Sequence, residues 1–436
     1  MRAYFNRHPA QSIVVVYLLY ALLGAILLLL PFCHLINISF LDNFFMAISA
    51  ISTTGLCTVD IASSYTFWGE LFILLLVQIG GIGYMTFSSF IILATSQRLP
   101  AYEKKVFFGA FAFPKDFSIK EFVFNVVIFS FIAEVIGSIL LAALFKEKGV
   151  DNYIWSGIFH SISAFCTAGL SLFENGIMTF QNDFWIRFVL CILMTLGGIG
   201  FIVILDLYKK IKEKDHHLTF TTKVILLMTL CFFVLGTFVF FILETHPKDL
   251  SIWEQIFSSF FQVVAACTTT GFSTFNIAYL THASIVLLIF FMLFGASPSG
   301  TGGGIKNTTF AALTGLVKST LSGKERVSFR NNEIPLRRVQ LATAIFSFYM
   351  FILTVGTFLL TYLEDKDFLS IVFEIISALG TAGLGMGITP NLTDLGKIVV
   401  IILMFIGRTG ILTFGFAVLS QRKNHDTPLE RKELVF

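Results

Sequence analysis

The sequence predicts an all-α integral membrane protein: four tandem, parallel units in a pseudo-fourfold arrangement around a central pore. Three observations predict this fold class, namely the composition, the lengths of the apolar segments, and a short Thr/Gly sequence that occurs four times. Of the 436 residues, 56% are hydrophobic and 13% are charged, and the mean hydropathy is +0.84. A soluble domain carries roughly a quarter of its residues as charged side chains. The composition therefore excludes a soluble enzyme, a secreted disulfide scaffold and a nucleic-acid-binding protein.

Eight apolar segments are long enough to cross a bilayer, since a transmembrane helix needs about 20 mostly apolar residues. Four shorter segments of 11 to 16 residues lie between them, and we expect these to be re-entrant pore helices. The first long segment follows Arg2 and Arg7 and lacks a small-residue cleavage site, which favours a retained helix over a signal peptide. The long segments are about Ser12–Pro31, Phe67–Thr95, Phe122–Phe145, Phe184–Tyr208, Thr219–Leu243, Ala283–Val317 (interrupted), Val339–Leu363 and Gly396–Ser420, and the short ones are Leu41–Ile51, Tyr153–Phe165, Ile252–Cys267 and Phe368–Leu379.

Basic residues are concentrated on one side of these segments. Of the 30 Lys and Arg, 22 fall in five polar segments on that side, and only Lys306 and Arg408 lie inside apolar runs. By the positive-inside rule the side with most of the charge is cytoplasmic. We therefore expect a multi-pass protein of the plasma membrane with both termini in the cytoplasm. The five segments are the N-terminal one with Arg2 and Arg7, then Arg98–Lys120, Lys209–Lys223, Lys318–Arg338 and Arg422–Lys432.

A Thr/Gly segment follows each short apolar segment, and its glycine recurs at spacings of 114, 102 and 112 residues. A small-residue cluster follows each of these glycines 24 to 28 residues later, inside the next long segment. Each predicted unit is thus a crossing helix (M1), a pore helix (P), the Thr/Gly segment and a second crossing helix (M2). All units have the same orientation, unlike the inverted repeats of many secondary transporters. The expected units are 1–97, 98–215, 216–323 and 324–436; the Thr/Gly segments are Ser52–Leu56, Cys166–Leu170, Thr268–Phe272 and Gly380–Leu384; the clusters begin at Gly80, Gly197, Gly295 and Gly407.

The Thr/Gly segments are candidate ion ligands. Irregular backbone at membrane depth is tolerated only where it is buried or lines a water-filled cavity, and Gly allows conformations that turn carbonyl groups inward. Rings of carbonyl oxygens from four such segments can replace the hydration shell of a monovalent cation, and the C-terminal dipole of each P helix favours the same cation. A single segment of this kind is also typical of a plain helix C-cap. The predicted selectivity-filter residues are Thr53, Thr54, Gly55, Thr167, Ala168, Gly169, Thr269, Thr270, Gly271, Thr381, Ala382 and Gly383.

The M2 segment of the third unit is interrupted by five Gly and one Pro between Gly295 and Lys306. Gly and Pro inside a helix cost about 1 and 3 kcal/mol each, so a regular helix cannot continue there. The stretch lacks the Gly-Lys-[Ser/Thr] of a phosphate loop, which argues against nucleotide binding. We interpret it as an intramembrane gating loop, with a hinge that has no gating role as the alternative. The predicted gate residues are Gly295, Ser297, Gly300, Gly302, Gly303, Gly304, Lys306 and Arg408.

Arg408 is an isolated charge within the fourth M2 segment, 25 residues after Gly383. A charge in the middle of a membrane costs at least about 2.5–3.5 kcal/mol and marks a functional site by default. Two hypotheses remain open: a positive barrier to the passing cation, or a structural bridge to carbonyls of the broken loop or to Glu134, the one carboxylate well inside an M1 segment.

Catalytic signatures are lacking in the sequence. The six cysteines show no CxxC spacing and the eight histidines no HExxH pattern, so we expect neither an enzyme nor a covalently bound cofactor. The predicted inner loops are short, so any sensing of a metabolite requires a separate partner.

Taken together, these motifs resemble the Trk/Ktr/HKT superfamily of K+ transporters, and most closely a bacterial KtrB-type membrane subunit. The resemblance covers nearly the whole chain. It is carried by the four one-glycine segments, by Ser-Gly-Thr-Gly-Gly-Gly-Ile-Lys-Asn-Thr-Thr-Phe at 299–310 and by Phe-Ile-Gly-Arg-Thr-Gly-Ile-Leu-Thr-Phe at 405–414. We expect the chain to begin at the first M1, without the two leading helices expected of TrkH-type subunits.

The resemblance implies K+ as the transported ion, held at the filter glycines Gly55, Gly169, Gly271 and Gly383, with 295–306 as the gating loop and Arg408 facing the pore. It also implies a homodimer in membrane lipid, each protomer with its own pore, on a cytosolic octameric ring of KtrA/KtrC-type RCK proteins. Those partners bind ATP or ADP, and often c-di-AMP. Uptake in the family is commonly sodium-dependent, which makes Na+ a candidate activator.

One feature departs from the family pattern. The second unit has Thr167-Ala168-Gly169 where Asn-Ala-Gly is expected, which leaves the preference for K+ over Na+ open. The alternative function is a secondary active symporter coupled to Na+ or H+, although the parallel units disfavour it.

Overall fold

A computed structural model describes residues 9–83, 119–213, 215–244 and 251–419 of the chain. Both ends of the chain and most of Arg98–Lys120 lie outside the described residues, and so do the basic side chains there on which the prediction of cytoplasmic termini rests.

The described residues are mostly helical. The helices, in chain order, are α1 Pro9–Leu28, α2 Phe40–Ile51, α3 Ile61–Ser64, α4 Phe67–Ile82, α5 Ile119–Glu147, α6 Tyr153–Phe165, α7 Phe184–Gly198, α8 Phe201–Lys212, α9 Phe220–Leu243, α10 Ile252–Cys267, α11 His282–Phe294, α12 Asn307–Leu321, α13 Leu336–Leu363, α14 Phe368–Gly380, α15 Asp394–Thr409 and α16 Ile411–Leu419, with short 3-10 turns at Pro31–Cys33, Gly176–Phe180, Ile277–Tyr279 and Thr389–Asn391.

Three of the predicted M1 helices are uninterrupted and apolar. Phe122–Glu147, Phe220–Leu243 and Leu336–Leu363 are each long and apolar enough to cross a membrane. One bent pair of helices, α7 with α8, would make a fourth span, and five further apolar helices in the described part of the chain are shorter. A total of eight crossings therefore stays a prediction.

Two of the predicted M2 helices are not continuous, and this corrects the sequence analysis. Phe184–Tyr208 is divided into α7 and α8, whose axes differ by 94°, and Gly396–Ser420 is divided into α15 and α16 at Gly410. The cause is the last glycine of each small-residue cluster. Gly200 has φ 96° and ψ 130°, and Gly410 has φ 83° and ψ 127°, conformations that belong to no helix and favour glycine. Gly83, which ends α4, has φ 86° and ψ 122°.

A small hairpin, which the sequence did not predict, is added to the otherwise helical fold. Strand β1, Ser328–Phe329, pairs antiparallel with β2, Asn332–Glu333. Arg330 and Asn331 between them have φ values of 48° and 63°. Two successive positive φ values are characteristic of the type I′ turn, whose twist matches a two-residue hairpin.

The four P helices (α2, α6, α10 and α14) are short and largely buried. Side chains stabilise the N-termini of three of them, as in α10, where Ser251 and Glu254 form a capping box. Each P helix also contacts the M2 helix of the preceding unit: α4 contacts α6, α7 contacts α10, α11 contacts α14, and α15 contacts α2. The contacts follow chain order and return from the fourth unit to the first.

An ion pair strengthens this last contact. Lys397, in the first turn of α15, lies with its Nζ 2.7 Å from Oδ1 of Asp42 at the start of α2. The two side chains are only 13% and 16% exposed. The first and last units are thus joined by charge as well as by apolar packing.

Candidate functional site

The four P helices end in the same way. After each helix a threonine adopts the left-handed conformation, with φ of 51°, 53°, 54° and 49° at Thr53, Thr167, Thr269 and Thr381. In the first unit Thr53 N donates to Ala50 O at 3.0 Å and Thr54 N donates to Ser49 O at 2.9 Å, which is the Schellman pattern. The other three units have equivalent bonds.

This ending is unusual, because the left-handed position of a helix C-terminus is normally taken by glycine. For a β-branched residue a positive φ is a genuine outlier, and such strain costs of order 1–3 kcal/mol and clusters at functional sites. All four threonines are fully buried. The sequence predicted these threonines as filter residues but not their left-handed backbone, which no local signal in the sequence indicates.

The four glycines that follow lie against one another in a ring. A Cβ added to Gly55 would collide with the carbonyl oxygen of Ala168, and one added to Gly169 with that of Thr270. The ring continues from Gly271 to the carbonyl of Ala382 and closes from Gly383 to that of Thr54. Each glycine therefore faces the carbonyl of the residue before the next unit's glycine. Only residues without a side chain allow four backbones to approach this closely.

The residue before each glycine differs between alternate units. In the first and third units its hydroxyl is bound to the helix end: Thr54 Oγ1 lies 2.6 Å from Ser52 Oγ, and Thr270 Oγ1 lies 2.7 Å from Thr268 Oγ1. In the second and fourth units it is alanine. The four backbone carbonyls are thus the oxygens that all four units share.

The small-residue clusters hold the M2 helices against the ends of the P helices. The first glycine of each cluster lies against the last turn of its own unit's P helix, where a Cβ would collide with a backbone carbonyl. The pairs are Gly80 with Ile51, Gly197 with Phe165, Gly295 with Cys267, and Gly407 with Leu379. This close packing explains why the cluster keeps a nearly constant distance in sequence from the Thr/Gly segment.

The 295–306 loop lies directly against the four left-handed threonines. Thr301 N donates to Gly197 O at 3.1 Å, and its Oγ1 accepts from Thr167 Oγ1 at 2.9 Å. Its carbonyl oxygen lies 3.5 Å from Thr53 Oγ1, and Gly303 N donates to Thr269 Oγ1 at 3.2 Å. Thr301 is absent from the predicted site although it makes most of these contacts. The only signal in the sequence was its position between Gly300 and Gly302.

The other predicted loop residues serve the same packing. Three glycines of the loop lie so close to other segments that an added Cβ would meet the Gly198 carbonyl at Gly300, Thr269 at Gly302, or Thr381 at Gly303. Gly304 has φ 67°, and Ser297 accepts a hydrogen bond from Asn307, the residue after the loop.

Both basic residues of the predicted gate bind carbonyl groups. Lys306 Nζ donates to Gly302 O at 2.6 Å and to Gly303 O at 3.2 Å. Arg408 donates through one guanidinium nitrogen to Thr301 O and through another to Gly80 O. Arg408 therefore bridges the loop to the first unit.

The bridge to Glu134 that the sequence analysis considered is not formed. Its two carboxylate oxygens instead accept from Nε2 of Gln78, at 3.0 and 2.8 Å. Glu134 is 5% exposed, and its Oε1 lies 3.8 Å from the sulfur of Cys166, immediately before Thr167. A buried carboxylate thus lies behind the second Thr/Gly segment.

The arrangement offers uncharged oxygen ligands on one side and cations on the other. The carbonyl ring and the C-terminal dipoles of the P helices favour a positive ion. Among the residues that the structure describes, no group of three or more His, Cys, Asp or Glu side chains could hold a metal ion. Carbonyl oxygens alone suit a weakly bound monovalent cation rather than a tightly held divalent one.

Fold and site define a membrane protein with a cation-attracting ring at the meeting point of four helix ends. The chain matches the family described as TrkH, cation transport protein, over residues 6–426. It therefore belongs to the TrkH family of cation transport proteins, which is a family of transporters and not of enzymes.

Several relatives match over most of their length. The chain is 36% identical to the Ktr system potassium uptake protein B of Bacillus subtilis, over 94% of this chain and 92% of that protein. It is 35% identical to the protein of the same name from Vibrio alginolyticus, over 90% and 87%, and 31% identical to the potassium/sodium uptake protein NtpJ of Enterococcus hirae, over 94% and 93%. These relatives confirm the resemblance to the Ktr group.

The fold is also that of a solved structure. The crystal structure of the potassium transporter TrkH from Vibrio parahaemolyticus superposes with a TM-score of 0.72, covering 94% of this chain and 85% of that one, at 21% sequence identity. A likeness at this identity establishes the membrane-transporter fold.

Proposed function

We propose that this chain is the membrane subunit of a K+ uptake system of the plasma membrane. The observation that carries the proposal is the closed ring in which Gly55, Gly169, Gly271 and Gly383 each face a carbonyl oxygen of the next unit. The potassium uptake named for its relatives in Bacillus subtilis and Vibrio alginolyticus supports it.

In this proposal the ring is a one-glycine selectivity filter reached from the outer side. A cation sheds water there because carbonyl dipoles replace its hydration shell. The four units 1–97, 98–215, 216–323 and 324–436, with eight crossing helices and four re-entrant helices, surround this single pore. Few coordinating layers imply looser selectivity than a filter with several successive carbonyl rings.

The 295–306 loop is the gate on the inner side of the filter. Its position against the four threonines is supported by the bonds of Thr301 and Gly303, and Lys306 and Arg408 donate hydrogen bonds to its carbonyl oxygens. The positive charge of Arg408 at this level disfavours a cation leaving the filter. Conduction therefore requires the loop to move away.

The partners complete the proposal. We expect a homodimer in lipid, with a cytosolic RCK-type ring that carries the nucleotide and moves the loop. The RCK ring is proposed to bind the cytoplasmic side of the chain, where the Lys209–Lys223 and Lys318–Arg338 segments concentrate positive charge. K+ is the transported ion, and Na+ is proposed as an activator because one relative is named a potassium/sodium uptake protein.

A second candidate, a symporter coupled to Na+ or H+, is favoured by one observation. Glu134 is buried within α5 and has a single amide nitrogen as its strong hydrogen-bond donor. Ionisable groups inside a membrane often mark proton or ion pathways. A symporter moves its coupling ion in fixed proportion to the solute, whereas a pore does not.

Complementation tests the proposal in cells. Expression of the chain with a cytosolic RCK ring from a related Ktr system should restore growth of K+-uptake-deficient bacteria at low external K+. The matched control is the same plasmid carrying Gly271→Asp, which places a side chain into the carbonyl ring. Failure of the wild-type chain to restore growth, despite its presence in the membrane fraction, would count against K+ uptake.

A further inference from the structure

Asn307, the first residue of α12, closes the base of the 295–306 loop. Its backbone N donates to Ala296 O at 2.8 Å, and its side-chain Nδ2 donates to Ser297 Oγ at 2.9 Å. The residue that follows the loop is thus bound to the second and third residues of the loop. A segment whose ends are joined in this way moves as a compact unit.

The same side chain ties the loop base to a neighbouring helix. Nδ2 of Asn307 lies 3.4 Å from Oγ1 of Thr229 on α9, the M1 helix of the third unit. The side chain is fully buried, and its Oδ1 has no hydrogen-bond partner among the described protein atoms. A buried amide oxygen without a partner is uncommon in folded proteins and unfavourable. The contacts of Nδ2 hold the amide in this position despite that cost.

A small cavity of about 10 Å³ lies beside the loop base and is lined by Gly295, Ser297, Thr229 and Thr268, among others. The volume is enough for about one water molecule. Protein interiors are otherwise close-packed, and Ser297 and Thr229, the two hydroxyl partners of Asn307 Nδ2, both line this gap, which leaves room for the base to shift. The base can therefore change position more readily than the rest of the core.

The tip of the loop and its base are bound to different parts of the protein. Thr301 at the tip contacts the threonines of the first and second units, whereas Asn307 contacts no residue of the Thr/Gly segments in any hydrogen bond of the described chain. Changes at Asn307 should therefore affect the position of the loop and leave the carbonyl ring intact.

We infer that Asn307 is the latch of the gate: its amide holds the loop base so that the tip stays against the inner end of the filter. Asn307 is a positioning residue, and the inference rests on the proposed function of the 295–306 loop. Loss of the amide lets the base shift toward the cavity and withdraws the tip, so the pore spends more time open.

The test is 86Rb+ uptake into proteoliposomes that contain the full chain, measured as maximal rate and half-saturating Rb+ concentration. Asn307→Ala should raise the maximal rate about three- to tenfold, the range that loss of one buried hydrogen bond allows. The half-saturating Rb+ concentration should stay within about twofold of the wild-type value, because the substitution leaves the carbonyl ring unchanged. Ser297→Ala removes the acceptor of the same bond and should act in the same direction.

Asn276→Ala is the matched control. Asn276 also uses its side chain for a local bond, to Ala278 N in the outer turn Ile277–Tyr279, and its loss should leave both parameters unchanged. A split between rate and affinity is the readout, since a merely structural defect would reduce the rate or alter both.

Three results would refute this role of Asn307: an unchanged maximal rate in Asn307→Ala, a change in the half-saturating concentration as large as the change in rate, or a folded variant that takes up no Rb+. If Asn307→Ala does not give monodisperse protein, Ser297→Ala decides by the same criteria. Absence of Rb+ uptake by the wild-type chain would instead refute the proposed function, so the two failures are distinguishable.

Discussion

Substitution of one ring glycine by alanine tests whether the ring is the site of ion selection. Gly169 has φ 66°, and a Cβ there would collide with the carbonyl oxygen of Thr270. Gly149, in the loop after α5, has φ 75° and has no atom within 4 Å of an added Cβ. The two positions share a backbone conformation and differ in their surroundings. Gly149→Ala is therefore the matched control for Gly169→Ala.

The expected magnitude follows from this comparison. Both substitutions place a Cβ on a left-handed residue, at a cost of about 1–2 kcal/mol. Only Gly169→Ala also forces neighbouring atoms apart, and overpacking costs about 1–3 kcal/mol more. If that additional energy displaces the Thr270 carbonyl from its position in the ring, cation affinity falls by about five- to 150-fold, since 1.4 kcal/mol corresponds to tenfold.

The assay is 86Rb+ uptake into proteoliposomes, with competition by Na+. Gly169→Ala should raise the half-saturating Rb+ concentration at least fivefold over Gly149→Ala and should reduce the preference for Rb+ over Na+. Thermal unfolding in detergent reports the conformational cost that both variants share. Equal half-saturation and equal ion preference in the two variants would refute the assignment of the ring as the filter.

Two further predictions concern charged groups. Arg408→Gln should raise the maximal uptake rate, because it removes both the bridge to the loop and its positive charge; Arg408→Lys should behave similarly, since one ammonium cannot reach two carbonyls from different units. A lysine variant with wild-type rates would show instead that charge alone restrains flux. A double-mutant cycle on Asp42 and Lys397, which are largely buried, should give a coupling of about 1 kcal/mol in thermal unfolding. The exposed pair Arg326–Glu333 should give less than about 0.5 kcal/mol, and equal couplings would contradict a special role for the contact between first and last units.

Much of the site could be predicted because its chemistry is repeated. Four glycines at nearly regular spacing identify positions where backbones must approach closely, and the structure places Gly55 and its three counterparts against carbonyl oxygens of the next unit. The interruption of the third M2 segment was also predictable, because five Gly residues and one Pro within 295–306 are incompatible with a regular helix.

The conformation of the threonines could not be predicted. Thr53 and its three counterparts are left-handed, although propensity strongly disfavours this for a β-branched residue. Tertiary contacts hold them there, including those to Thr301, which lies about 250 residues away in the first unit's case. Such long-range contacts leave no periodic signal in a sequence.

The breaks in the second and fourth M2 helices were missed for a different reason. Apart from Arg408, the clusters ending at Gly200 and Gly410 consist of small and apolar residues, which are common in transmembrane helices and do not by themselves indicate a break. Only the values of φ at these two glycines show that the helix stops. Asn307 was missed because a single polar residue after a glycine-rich loop has no distinctive pattern.

The central claim is that the chain forms a pore for K+ whose conduction is driven by the membrane potential. The most direct test is uptake of 86Rb+ and 22Na+ into proteoliposomes of the wild-type chain, with and without an RCK ring, at a set potential. The account predicts Rb+ uptake that rises with the membrane potential, exceeds Na+ uptake, and increases when the RCK ring is added with its nucleotide. Two results would contradict it: Rb+ uptake that occurs only when a second ion moves with Rb+ in fixed proportion, or no Rb+ uptake at any potential.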